Sequence, residues 1–217
     1  MTKLISQIKA INPEIREKID SRLKEFQSFK SKSSEDWFSE LCFCILTANS
    51  RAKSAINIQK ELGFRGFSTL PLAEVTSTIK RNKHRFHNTK AKYIIEARKH
   101  KDIKDKIYRL TRNSNSKDKQ SIIDTREWIV KNIKGIGYKE ASHFLRNTGF
   151  DNIAILDRHI LSLLHENNLV SSIPKQLNKK NYLSIEKSFI SMANKMKISP
   201  AKLDLTMWYL KTGKVLK

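Results

Sequence analysis

Apolar residues along this chain recur at intervals of three and four, the spacing of one face of an α-helix. No stretch alternates convincingly with period two, and only 6 glycines and 4 prolines interrupt the 217 residues. The pattern predicts an all-α protein. Pro13 follows Asn12, a good cap, and opens a helix with Ile15, Ile19, Leu23 and Phe26 on one face. Gln27–Ser34 is polar and reads as a loop. Ser33 or Ser34 then caps a helix from Glu35 to about Ala48. Its Trp37, Phe38, Leu41, Phe43, Cys44, Ile45 and Leu46 make it apolar on most sides, which suits the middle of a core.

Further helices are expected over Ala52–Leu62, ended by Gly63, and over Leu72–Arg81 and Thr89–Lys99. The basic, histidine-rich segment Asn82–Asn88 reads as a loop, and Lys101–Lys119 as a polar, flexible excursion. Asp124 is expected to cap a helix ending near Asn132, followed by a glycine hairpin and a second helix. Helical stretches at Ile155–Asn167, Ser184–Met196 and Pro200–Leu210 close the chain. The expected architecture is two helical subdomains flanking a cleft. Residues 30–120 form one lobe. Residues 1–29 join 121–217 in the other, and the hairpin sits at the mouth of the cleft.

Charge changes the picture from a fold to a partner. Lys and Arg number 43 against 21 Asp and Glu, a formal net charge of +22. A protein this basic usually meets a polyanion, and nucleic acid is the natural one because each phosphate contact releases counterions. Met1–Ala10 is polar and lacks the apolar run of a signal segment, and no stretch approaches the roughly 20 apolar residues needed to span a membrane. An intracellular protein acting as a monomer is expected. The two cysteines, Cys42 and Cys44, lie within an apolar run and read as buried thiols. They are too few for a four-cysteine zinc or iron–sulfur site, so no metal is expected.

The chemistry concentrates in Ile133–Asn147, an apolar helix end, then Gly135-Ile136-Gly137, then a second helix. Two glycines around one aliphatic residue permit a tight turn and a close backbone approach to a ligand. Ile136 packs back between the helices. The start of the second helix offers N–H donors and partial positive charge to a phosphate. Such a helix–hairpin–helix grips a DNA backbone without reading its sequence.

Lys139 stands two residues beyond the hairpin, and Asp157 eighteen residues further on, just before a helical segment. A carboxylate stabilises positive charge developing on a sugar as its glycosidic bond breaks. An amine can attack the sugar C1′ and form a Schiff base. It needs its lone pair for this, and a positive field from the hairpin amides, Lys134, Arg158 and His159 would favour the neutral form. Taken singly, Lys139 is one of 43 basic residues and could equally be a solvated helix lysine.

The run Lys134–Asn147 followed by Leu156-Asp157-Arg158-His159 resembles the helix–hairpin–helix DNA glycosylases, and more narrowly the archaeal-type, second-class 8-oxoguanine DNA glycosylase/lyases. Trp37–Asn49, Asn82–Phe86 and the tail Trp208–Lys217 agree, so the resemblance covers nearly the whole chain. It implies that Lys139 is the Schiff-base lysine and Asp157 the catalytic aspartate, with no cofactor. It places His159 on the phosphate side of the lesion and His143 in the base pocket. Asn49 fills the gap left by a flipped nucleotide, and Arg85 and Phe86 engage the unpaired partner base. Asp204 and Trp208 are four apart and share a helix face. Spacing alone makes Trp208 core and Asp204 a surface charge, whereas the resemblance puts both in the base pocket beside the terminal Lys217. A backbone carbonyl in Gln27–Lys30 is a candidate acceptor for the lesion's N7–H. Two other functions fit parts of the pattern: an endonuclease III-like glycosylase for oxidised pyrimidines, and a non-catalytic helix–hairpin–helix protein that binds double-stranded DNA.

Overall fold

The computed structural model describes residues 2–112 and 119–217. Its regular elements are all helical: α1 (Thr2–Lys9), α2 (Pro13–Ser28), α3 (Ser34–Thr47), α4 (Ala52–Thr69), α5 (Leu72–Arg81), α6 (His87–Ala97), α7 (Ile103–Arg112), α8 (Lys119–Asn132), α9 (Tyr138–Asn147), α10 (Arg158–Glu166), α11 (Lys179–Lys195) and α12 (Pro200–Thr212). Short 3₁₀ turns follow α2 at Phe29–Ser31 and α6 at Arg98–His100.

The chain divides into two compact units. One is residues 29–144; the other joins residues 1–28 to 145–217. The sequence pattern expected residues 121–144 to go with the chain ends. Instead α8 packs on α7, so the first helix of the hairpin belongs with the central unit.

Each unit is built round one helix that is buried on nearly every side. In residues 29–144 it is α3, which packs against α4, α6 and α7. Every residue from Leu41 to Thr47 is buried. Ser33 starts it with a capping box: its side chain accepts from the Asp36 N–H, and the Asp36 carboxylate accepts from the Ser33 N–H. The thiols of Cys42 and Cys44 are buried and unbridged, and burial pushes the Cys42 thiol well above its ordinary range. In the other unit the centre is α12, which packs against α1, α2, α10 and α11. Ser199 caps its start, Pro200 opens its first turn, and Gly213 closes it in the left-handed conformation at φ +69°.

Several boundaries differ from the sequence pattern for identifiable reasons. Gly63 does break its helix, at φ +54°, but helix resumes and runs to Thr69. Residues 87–88 are helix rather than loop. Ile103 and Ile107 are fully buried and hold Ile103–Arg112 as a helix despite its polar composition, while the Asn-Ser-rich residues 113–116 lie outside the described part. Asp124 sits inside α8, where its side chain accepts from Gln120, and does not cap it. Asn178 begins α11 earlier than expected by accepting from the Asn181 N–H.

Candidate functional site

The residues singled out by sequence fall in both units. In residues 29–144 the hairpin lies between α8 and α9. The Ile133 N–H still donates to the Ile129 carbonyl, and the Ile136 N–H donates to Ile133 at 3.4 Å, so the chain coils once before α9 starts. Ile133 and Ile136 are buried, as their apolar character requires. Gly135 has φ +84°, and a methyl group there would run into the ring of Tyr93 on α6. Glycine is therefore needed twice over, for its conformation and for its missing side chain. Arg126 of α8 donates to Ser142 of α9, and the Tyr138 hydroxyl donates to Glu127 at 2.7 Å. These polar ties join the two helices of the hairpin.

Glu140 is a residue the sequence pattern passed over. It occupies the third position of α9. Its Oε2 accepts from the Gly137 N–H at 3.3 Å, and its Oε1 pairs with the Lys139 ammonium at 2.9 Å. The first contact is half of a capping box, a signal present in Gly137-Tyr-Lys-Glu140. It also occupies an amide that was expected to face a phosphate. Lys139 keeps about a quarter of its side chain exposed. One turn later, His143 is buried edge-on to Phe43 of α3, ring centroids 5.7 Å apart.

The end of α3 organises the rest of this unit. The last four carbonyls of a helix have no partner within it. Here Cys44 accepts from the Thr47 hydroxyl, Ile45 from the Lys90 ammonium at 2.6 Å, Leu46 from His84 Nε2 at 2.9 Å, and Thr47 from the Ser50 N–H. His84 accepts at Nδ1 from the Phe86 N–H, so its Nε2 carries the proton given to Leu46. Burial is the main influence that lowers its basicity, which favours this neutral form. One histidine thus ties the loop bearing Arg85 and Phe86 to the helix end that leads to Asn49. Asn49 is exposed at φ +58°, and the Arg85 guanidinium lies 4.4 Å from the Phe86 ring centre. These three residues, separated in sequence, share one corner of the unit.

In the other unit, Asp157 caps α10. Its Oδ1 accepts from the His159 N–H at 2.8 Å and the Ile160 N–H at 2.9 Å. Among the described residues Oδ2 has no hydrogen bond, so one carboxylate oxygen is fixed and the other is available. His159, two residues on, meets the Trp208 indole edge-on at 6.3 Å. Asp204 and Trp208 reverse the arrangement suggested by spacing alone: Asp204 is 4% exposed, whereas Trp208 is only partly buried. Asp204 Oδ2 accepts from Arg146 Nη1 at 2.6 Å. The remaining guanidinium nitrogens of Arg146 donate to Asn147, and the group stacks 4.7 Å from the Phe26 ring centre. Burial raises the Asp204 carboxyl to about 7, against the pull of Arg146 and with a further push from Asp157. Beyond Gly213 the tail turns back, and Val215 packs on the Ile19, Phe26 and Leu205 cluster, carrying Lys217 with it.

The proposed acceptor stretch Gln27–Lys30 is helical rather than a loop. The Phe29 carbonyl already accepts from Trp37, and Lys30 accepts from the Tyr108 hydroxyl. No group of three or more His, Cys, Asp or Glu side chains suited to a metal occurs among the described residues. No described helix is long and apolar enough to cross a membrane.

An all-helical protein with this hairpin, a lysine at its exit and an aspartate capping the next helix has the features of a helix–hairpin–helix glycosylase. The model of a family described as 8-oxoguanine DNA glycosylase matches residues 19–198, and the chain belongs to that family. An 8-oxoguanine DNA glycosylase/AP lyase of Methanocaldococcus jannaschii is 50% identical over 217 residues, all of this chain and 99% of the relative. Its crystal structure in complex with a 15mer DNA containing 8-oxoguanine matches with a TM-score of 0.90, covering 99% of this chain and 100% of that one. The crystal structure of the Thermotoga maritima 8-oxoguanine DNA glycosylase, 40% identical, matches with a TM-score of 0.89 over 100% of this chain and 99% of that one.

Two outcomes follow from this geometry. Gly135→Ala should cost about 1–3 kcal/mol of stability, from its positive φ and the collision with Tyr93. It should also weaken binding to undamaged duplex, measured by urea unfolding and fluorescence anisotropy. Wild-type values in both would contradict the account of the turn. For Asp204, the folded state retains between about pH 4 and 7 a proton that the unfolded chain releases. Its contribution to stability is therefore fully present below pH 4 and lost as pH rises through 7. Asp204→Asn should lose less stability than wild type between pH 5 and 7.5, and equal losses would show that the carboxyl is not raised.

Proposed function

We propose that this protein excises 8-oxoguanine from double-stranded DNA and then nicks the strand at the resulting abasic site. The observation that carries it is Lys139, partly exposed at the exit of the glycine hairpin and paired at 2.9 Å with the Glu140 carboxylate. Membership of the family, and relatives named 8-oxoguanine DNA glycosylase/AP lyase along the whole chain, support the same conclusion.

In this mechanism Lys139 loses its ammonium proton to water, and its lone pair attacks C1′ of the damaged nucleotide. The C1′–N9 bond breaks, its electron pair leaves with the base, and the base then takes a proton. The carboxylate of Asp157 offsets the positive charge that builds on the sugar. Opening of the C1′–O4′ bond gives the Schiff base, with O4′ taking a proton. Loss of a C2′ proton then expels the 3′ phosphate, and water releases the enzyme.

The hairpin Gly135-Ile136-Gly137 and the His159 side chain meet the DNA backbone. We assign Asp204, Trp208, His143 and Lys217 to contacts with the base, Trp208 offering its stacking face. Asn49 fills the space of the extruded nucleotide, while Arg85 and Phe86 meet its partner. The enzyme works inside the cell as a monomer, without metal or cofactor. An oxidised-pyrimidine glycosylase shares the hairpin and the lysine–aspartate pair, but the family match and the named relatives favour 8-oxoguanine.

The test is borohydride trapping on a duplex with one 8-oxoguanine, read on a denaturing gel with and without alkali. Wild type should give a covalent adduct and a nick without alkali. Lys139→Gln should drop the adduct to background, and Asp157→Asn should slow base release by about a hundredfold or more. Wild-type adduct from Lys139→Gln would refute the assignment. Faster release of thymine glycol than of 8-oxoguanine would favour the pyrimidine enzyme.

A further inference from the structure

Lys90 is a second lysine beside the nucleophile, and the mechanism above gives it no role. It lies on α6 with only 5% of its surface exposed. Its ammonium donates to the Ile45 carbonyl, 2.6 Å away in the last turn of α3. Its ammonium stands 6.0 Å from the centre of the Tyr93 ring, the ring that would collide with a side chain at Gly135. From there it is within electrostatic reach of the first turn of α9: the Glu140 carboxylate favours its charge and Lys139 opposes it. On the other side, His84, bonded to the adjacent Leu46 carbonyl, also feels the Lys90 charge.

A cation at this place has two effects on its neighbours. It repels the ammonium form of Lys139, and it competes with Lys139 for the Glu140 carboxylate. Both favour the neutral amine. Burial holds Lys90 itself down to about 8, so its charge is present at neutral pH and fades in the alkaline range.

We propose that Lys90 is a positioning residue for the covalent step, a buried cation whose charge acts on Lys139 and Glu140 to favour the unprotonated nucleophile. This rests on the assignment of Lys139 as the Schiff-base lysine. If Lys90 were needed only to satisfy the end of α3, any donor of similar shape would serve and the pH dependence of the chemistry would not change.

The experiment is the pH profile of the single-turnover trapping rate on 8-oxoguanine duplex, for wild type, Lys90→Met, Lys90→Gln and Lys90→Arg, with melting temperature as the check on folding. Loss of the charge in Lys90→Met or Lys90→Gln should move the acid limb of the profile toward alkaline pH by about half a unit or more, roughly a threefold loss of rate at a fixed pH below the midpoint. Lys90→Gln retains a donor for Ile45, so it carries the same prediction if Lys90→Met does not fold. Lys90→Arg should keep the acid limb of wild type. Neutral variants whose profile is lowered uniformly, with an unmoved limb, would overturn the proposal, as would a limb shifted equally by Lys90→Arg. If wild type itself gives no trapped adduct, the fault lies with the Lys139 assignment.

Discussion

The last turn of α3 is the constraint on which the rest of the central unit depends. A helix buried on nearly every side must end somewhere, and its final carbonyls must find donors away from water. Four donors meet that need: the hydroxyl of Thr47, the ammonium of Lys90, the imidazole of His84 and the N–H of Ser50. Two of them come from elsewhere in the chain and bring further segments with them. His84 fixes the loop carrying Arg85 and Phe86. Lys90 fixes α6, whose Tyr93 lies against Gly135 in the hairpin. Satisfying one helix end therefore also sets the surroundings of Lys139. Cations are favoured there in any case, because the partial negative charge of a helix gathers at its C-terminus.

The second unit solves a related problem differently. Its central helix α12 buries a carboxylate, Asp204, which is costly unless paired. Arg146 supplies the charge, Asn147 takes the spare guanidinium N–H groups, and the Phe26 ring covers the assembly. Asp157 stands within electrostatic reach of this pair. It too is half engaged, with Oδ1 locked by the cap of α10.

Helices with a strong apolar face were legible from sequence, among them α2, α3 and α12, because burial and capping residues agree there. The glycine hairpin was legible because Gly135 and Gly137 bracket an apolar residue. Boundaries were misjudged where long-range packing decides. The polar run at Ile103–Arg112 is held by two buried isoleucines, and residues 121–144 join the central unit because α8 lies on α7. Lys139 and Asp157 were singled out by spacing and resemblance. Glu140 could have been found from its capping position but was passed over. Lys90, His84 and Arg146 could not be singled out among so many basic residues, because their roles depend on partners at a distance in sequence, such as Ile45, Leu46 and Asp204.

If one lysine among many forms the covalent bond to the sugar, mass spectrometry of the trapped adduct identifies it. The adduct reduced by borohydride on an 8-oxoguanine duplex would be digested with nuclease and protease, and the modified peptide sequenced. The account predicts the deoxyribose remnant on Lys139, within Gly137–Arg146. A remnant on Lys90, on the amino terminus or spread over several lysines would contradict it.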